Sequence, residues 1–191
     1  MRSLFTSILL SLFTVTITAQ YAYDTSVENP FGLPNPDAPE QLKDFAPMIG
    51  ECDCISIKRN PDSSWDTPKK MYWRFKYILN GMAVQDDAFI EDGSYGGSIR
   101  QFIADSTRWY VHYYSSRFPS TTLPAWEGVK NDSSIILYRA QTAPNGMEGF
   151  YKITFYDMNE TGYKWKGDWV NPDESIVYPT WTIECTRRES E

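Results

Sequence analysis

The chain has 191 residues, with 25 acidic side chains against 18 basic ones, a net charge of −7 and 16% aromatics. That balance argues against a polyanionic partner, because phosphate binding rests on a clustered basic surface that releases counterions. The densest basic groups are only the pairs Lys69-Lys70 and Arg187-Arg188, so no nucleic acid is expected.

The first stretch, "MRSLFTSILLSLFTVTITAQ", sets Arg2 before an apolar and Thr/Ser run from Leu4 to Thr18 and offers the small Ala19 for cleavage. This is the pattern of an export signal over residues 1–20. A run of about fifteen residues falls short of the ~20 that span a bilayer. The expectation is an exported protein, periplasmic or secreted, with no integral membrane segment in the mature chain. Loss of Arg2 with the signal takes the 18 basic residues to 17 against 25 acidic ones.

Residues 21–41 hold Pro30, Pro34, Pro36 and Pro39 without a period of two or 3.6, which reads as an extended, poorly ordered leader. From Asp37 to Ile49 the pattern changes. Asp37 is placed to cap, Leu42, Phe45, Ala46 and Ile49 recur at helical spacing, and Pro47 with Gly50 stops the run. One short N-terminal helix is expected.

Everything afterwards alternates. "GECDCISIKR", "KKMYWRFKYIL", the turn Asn80-Gly81 and "MAVQDDAFI" give a first strand and a hairpin, since Asn-Gly between alternating runs is a strong hairpin signal. "SIRQFIA" and "WYVHYYSS" give a second hairpin, followed by "WEGVK", "SSIILYRAQ", "GFYKITFYD", "YKWKGDWV" and "PTWTIECTRR". Roughly nine or ten strands joined by short loops suit an all-β, single antiparallel barrel over residues 42–188 rather than a sandwich with long crossovers. The cysteines support closure. Cys52 and Cys54 lie on the first strand and Cys185 on the last, and in an oxidising compartment one pair is expected to bridge. Bridged Cα atoms sit within about 7 Å, so the end strands must be neighbours. Cys54–Cys185 is preferred over Cys52–Cys185, leaving one thiol over.

From Leu42 to Arg188 the chain also resembles the lipocalin-like, calycin-type barrels of a bacterial family of mostly unassigned function. The resemblance is carried by "FAPMIGEC", "WDTPKKMYWRFKYILNGMAVQDD", "SIRQFIADSTRWYV", "FYDMNETGYKWKGDWV" and "WTIECTRR". It implies one barrel plugged by a short N-terminal helix, with a cavity for a small ligand. Nitrobindin-type relatives of this broad group bind haem through a His near the C-terminus; here Trp181 to Arg187 contain none, and no cofactor is expected.

The candidate site follows from alternation. Trp73, Phe75, Trp165 and Trp181 occupy alternating positions on separate strands and supply either the filling of a small barrel or an aromatic-lined pocket. Arg100 shares a face with Ser98 and Phe102, and the resemblance implies a basic residue at this position, so it reads as an outside charge or as a cavity anchor. Gln85 is a second polar candidate. His112, the sole histidine, cannot build a multi-His metal site and is either a hydrogen-bonded wall residue or a general base. Asp86 and Asp87 point to opposite faces of a strand and read with Glu91 and Asp92 as a solvated strand end. The expected function is the holding of a small apolar or aromatic molecule in the barrel. A barrel enzyme using His112 with Arg100, or a structural envelope protein with a filled interior, stands as the alternative.

Overall fold

The computed structural model describes residues 21–188; the expected export signal lies outside the described residues. Ten antiparallel strands run in order around a closed barrel: β1 (Gly50–Lys58), β2 (Lys69–Ile78), β3 (Ala83–Ile90), β4 (Ser94–Ile103) and β5 (Arg108–Ser115), then β6 (Ala125–Asn131), β7 (Ser134–Ala140), β8 (Phe150–Asn159), β9 (Gly162–Val170) and β10 (Val177–Arg187). Each strand pairs with its neighbours in sequence, and β1 pairs with β10 to complete the ring. The fold is the all-β barrel expected, at the upper end of the strand count.

Closure is covalent as well as hydrogen-bonded. Cys54 and Cys185 stand directly opposite in the β1–β10 register and are joined by a disulfide. Cys52 faces the same interior two residues away, but its register partner is Arg187, and it is a buried free thiol. Burial pushes that thiol above its ordinary pKa, which leaves little thiolate at neutral pH.

Period-two alternation decides which side chains the ring encloses. On β2, Met71, Trp73, Phe75 and Tyr77 are buried, while Tyr72, Arg74, Lys76 and Ile78 are half-buried on the outer face. The helix closes one end, but its form differs from expectation. It is a 3-10 helix, Glu40–Met48, with no side-chain cap from Asp37 and with Pro47 inside its last turn. Leu42, Phe45 and Met48 are its buried residues. They recur every three positions, the repeat of a 3-10 turn, whereas the 3.6 reading had placed Ala46 and Ile49 on the apolar face. The guanidinium of Arg187 donates to the carbonyl oxygens of Pro47, Met48 and Ile49, satisfying acceptors that a helix end leaves open.

Residues 21–39, expected as an extended and poorly ordered leader, run as turns and irregular backbone hydrogen-bonded to the β2–β3 turn. Tyr23 N–H donates to Asn80 Oδ1 at 3.0 Å, Asn80 N–H to Asp24 Oδ1 at 2.7 Å, and Asn35 N–H to the Gly81 carbonyl at 3.1 Å. A Cβ at Gly81 would lie 2.4 Å from the Leu33 carbonyl oxygen, and φ there is +79°. The Asn-Gly turn that joins β2 to β3 is therefore also the dock for residues 23–35, which sequence periodicity does not register.

The disulfide spans 131 residues of sequence, so by the chain-entropy model its removal costs about 4–5 kcal/mol before any relief of strain. The Cys54→Ala, Cys185→Ala double variant is expected to lose about 4 kcal/mol in urea unfolding. Iodoacetamide is expected to label Cys52 only after unfolding; rapid labelling of the native protein would contradict its burial.

Candidate functional site

The interior is divided into two halves by chemistry. At the helix end it is filled with rings. Phe45 meets Trp109 edge-on at 4.7 Å between centroids, and Phe75, Phe155 and Tyr163 lie 5.9 to 6.4 Å from one another. Trp109 Nε1–H donates to Asp44 Oδ2 at 3.0 Å, fixing the helix to the wall.

Across the middle of the barrel lies an ion pair. Asp86 on β3 stands opposite Phe75 on one side and Ser98 on the other, and Arg100 is one inward step further along β4. Arg100 Nη1 pairs with Asp86 Oδ1, while Asp86 Oδ2 accepts from Trp73 Nε1 at 2.7 Å. Arg100 is 2% and Asp86 3% exposed, so neither charge would be tolerated alone. Three rings pack on the guanidinium, with centroids at 4.8 Å for Phe75, 5.2 Å for Phe45 and 5.8 Å for Phe155, which adds cation–π attraction. The Arg100 Nε–H has no hydrogen-bond partner among the described residues.

Beyond the pair the interior opens into a cavity of about 310 Å³. Trp73, Trp126, Trp165 and Trp181 line it together with Tyr113 and Tyr151, and Ile90, Val111, Leu137 and Ile153 supply aliphatic wall. Trp165 and Trp181 meet edge-on at 5.0 Å, and Trp181 Nε1–H donates to Ser56 Oγ at 2.8 Å. Space exists here for two physical reasons. Barrel diameter grows with strand number, and a ring of about eight strands is only just wide enough for its own side chains; ten leave more room. In addition, Ala88, Gly96 and Ser98 are small where β3 and β4 face the chamber. A Cβ at Gly96 would lie 2.8 Å from the Tyr113 hydroxyl, so this glycine makes room for the ring opposite.

The mouth continues into an outer groove of about 840 Å³ along residues 116–124, which join β5 to β6; Phe118, Leu123 and Arg139 border it. Lys58 and Arg117 stand at the chamber's edge. Lys58 is an exposed residue at the end of β1, but its Nζ lies 4.0 Å from the Trp181 ring centroid, and desolvation beside that ring pulls its ammonium below the ordinary lysine pKa.

Trp73, Arg100, Trp165 and Trp181 are thus brought together around one cavity. Phe75 is fully buried under the guanidinium and is floor rather than cavity wall. Gln85 and His112 lie on the outer face. Gln85 Nε2–H donates to Tyr114 Oη at 2.8 Å, and His112 sits between the inward-facing Val111 and Tyr113. Alternation separates His112 from Arg100, so the two do not share a chamber. Asp86 reverses its solvated reading, while Asp87 keeps it, paired with Arg74 at 3.1 Å on the outside. Parity with Val84, Ala88 and Ile90 was the available signal for Asp86; its register to Arg100 was not readable from sequence. Trp126, Tyr113 and Lys58 were likewise missed.

No protein-family model and no curated protein matches the chain. The crystal structure of Rv2717c from M. tuberculosis superposes with a TM-score of 0.51 at 9% identity, covering 80% of this chain and 100% of that one. The fold is a lipocalin-like barrel. An S-type phycobiliprotein lyase, CPES from Guillardia theta, is similar at a TM-score of 0.48 and 8% identity, covering 77% of this chain and 92% of its own. At such identities the lipocalin-like likeness concerns the backbone alone.

Removing one partner of a buried pair strands the other charge, at about 3–5 kcal/mol, whereas replacing both with apolar residues of similar volume is often near neutral. Asp86→Ala is expected to lose about 3–5 kcal/mol in urea unfolding, and Asp86→Leu with Arg100→Met clearly less than Asp86→Ala alone. A double variant that loses more stability than Asp86→Ala would contradict the pairing.

Proposed function

We propose that this chain is an exported small-molecule-binding protein that holds an apolar or aromatic ligand in the chamber of its barrel. The observation that carries the reading is the cavity of about 310 Å³, walled chiefly by indole, phenol and aliphatic side chains over one buried ion pair. Ligand sites have this composition, mostly apolar with a few placed polar groups, and volumes of about 300–1,000 Å³. Trp73 and Trp165 are proposed as the flanking walls and Trp181 as the lip, with Arg100 held in place by Asp86 as a polar floor. Neither Gln85 nor His112 borders the chamber, and neither is assigned a ligand contact.

Export rests on the segment 1–20 read from the sequence and is supported by the Cys54–Cys185 disulfide, a bond that persists in oxidising compartments. No helix among the described residues is long and apolar enough to cross a membrane.

The test uses phenylnaphthylamine, an uncharged aromatic probe, followed by its own emission and by quenching of tryptophan fluorescence. Saturable one-to-one binding is expected. Ala88→Phe projects a ring from β3 into the chamber and is expected to weaken the probe at least about tenfold, equivalent to 1.4 kcal/mol, with its circular dichroism unchanged. Equal binding by wild type and Ala88→Phe would place the probe elsewhere and reject the chamber as the site.

A further inference from the structure

Charge is distributed unevenly in this molecule. The chain as a whole is acidic, with a net charge of −7. Yet the side chains that border the chamber and its outer groove include Lys58, Arg100, Arg117 and Arg139 against a single carboxylate, Asp86, among the described residues. Two of these cations are accounted for. Arg100 is neutralised by Asp86, and Arg117 is paired with Asp92 at 3.2 Å.

Lys58 and Arg139 are not neutralised in this way. Each lies against an aromatic ring of the site: Lys58 Nζ at 4.0 Å from the Trp181 centroid, and the Arg139 guanidinium at 4.8 Å from that of Trp126. Neither makes an ion pair among the described residues. Of the carboxylates close to Lys58, Asp92 is held by Arg117 and Asp66 by Lys69 at 2.7 Å. Both rings belong to the chamber and to the groove outside it. The two cations are therefore set where the apolar chamber meets water, each held against a ring face by cation–π attraction. A cation without an anion of its own, resting on a ring at the lip of an apolar chamber, gains more from an incoming negative charge than one in open solvent does, because the effective dielectric beside the apolar wall is lower. They also focus a positive potential at the mouth of an otherwise acidic protein.

We propose that the ligand of this barrel is an amphipathic anion, whose apolar or aromatic body fills the chamber while a carboxylate or sulfonate group is held at the mouth by Lys58 and Arg139. This rests on the chamber's being a binding site and adds the ligand's charge and its direction of entry. The body enters first, because the interior charges already satisfy each other, and the acidic group stays where the unpaired cations are.

Two probes with nearly the same ring frame separate the claims: anilinonaphthalene sulfonate, which is anionic, and phenylnaphthylamine, which is not. The wild-type protein is expected to prefer the sulfonate by about tenfold, the factor that 1.4 kcal/mol represents. In the Lys58→Gln, Arg139→Gln double variant the preference is expected to fall to about twofold or less, and in wild type it should shrink as salt is raised. Retained binding of the uncharged probe by the variant certifies its fold. Equal affinities in wild type, or a tenfold preference that survives in the variant, would overturn the anionic reading while leaving the binding site standing. Failure of both probes to bind wild type would overturn both.

Discussion

Pairing of β1 with β10 is the constraint from which the rest of the molecule follows. In an open sheet each strand has two faces and the choice between them is made locally. Once the sheet closes, strand parity is fixed all the way round, and a residue is inside or outside by its position alone. The Cys54–Cys185 bond lies within that seam, and Arg187 on the same strand holds the 3-10 helix that covers one end. Seam, plug and interior lining are thus one arrangement.

Parity explains the placement of Asp86 and Arg100, which no local preference favours. Inward parity puts a carboxylate on β3 and a guanidinium on β4 into the barrel, and their register brings them into contact. The pair is tolerable only because each partner neutralises the other and because Trp73 and three phenyl rings complete the shell. It separates the ring-filled half from the open half. The rings below it pack edge to face, and the indoles above it surround space.

The architecture was legible because alternation is a long-range signal repeated over ten strands, and because all three cysteines lie on the two end strands that must meet. Four of the proposed ligand contacts, Trp73, Arg100, Trp165 and Trp181, do border one cavity. Other features were not legible, for reasons that can be named. Gln85 and His112 were chosen for their chemistry although their parity put them outside. Asp86 was grouped with its acidic neighbours rather than with Val84 and Ala88. The helix was read at 3.6 residues per turn when Leu42, Phe45 and Met48 repeat every three. The leader's contacts with Asn80 and Gly81 join residues 45 to 57 positions apart by backbone and side-chain hydrogen bonds, and such contacts leave no periodic trace. Lys58 and Arg139 acquire meaning only from the rings they cover.

The central claim is that the space between Trp73, Trp126, Trp165 and Trp181 is a ligand chamber and not a packing gap. A crystal structure of the protein purified from the organism that makes it tests this most directly. The account predicts continuous density for a small molecule above the Asp86–Arg100 pair, in contact with those indoles. A barrel in which the same rings close on one another, leaving room for no more than a water or two, would contradict it.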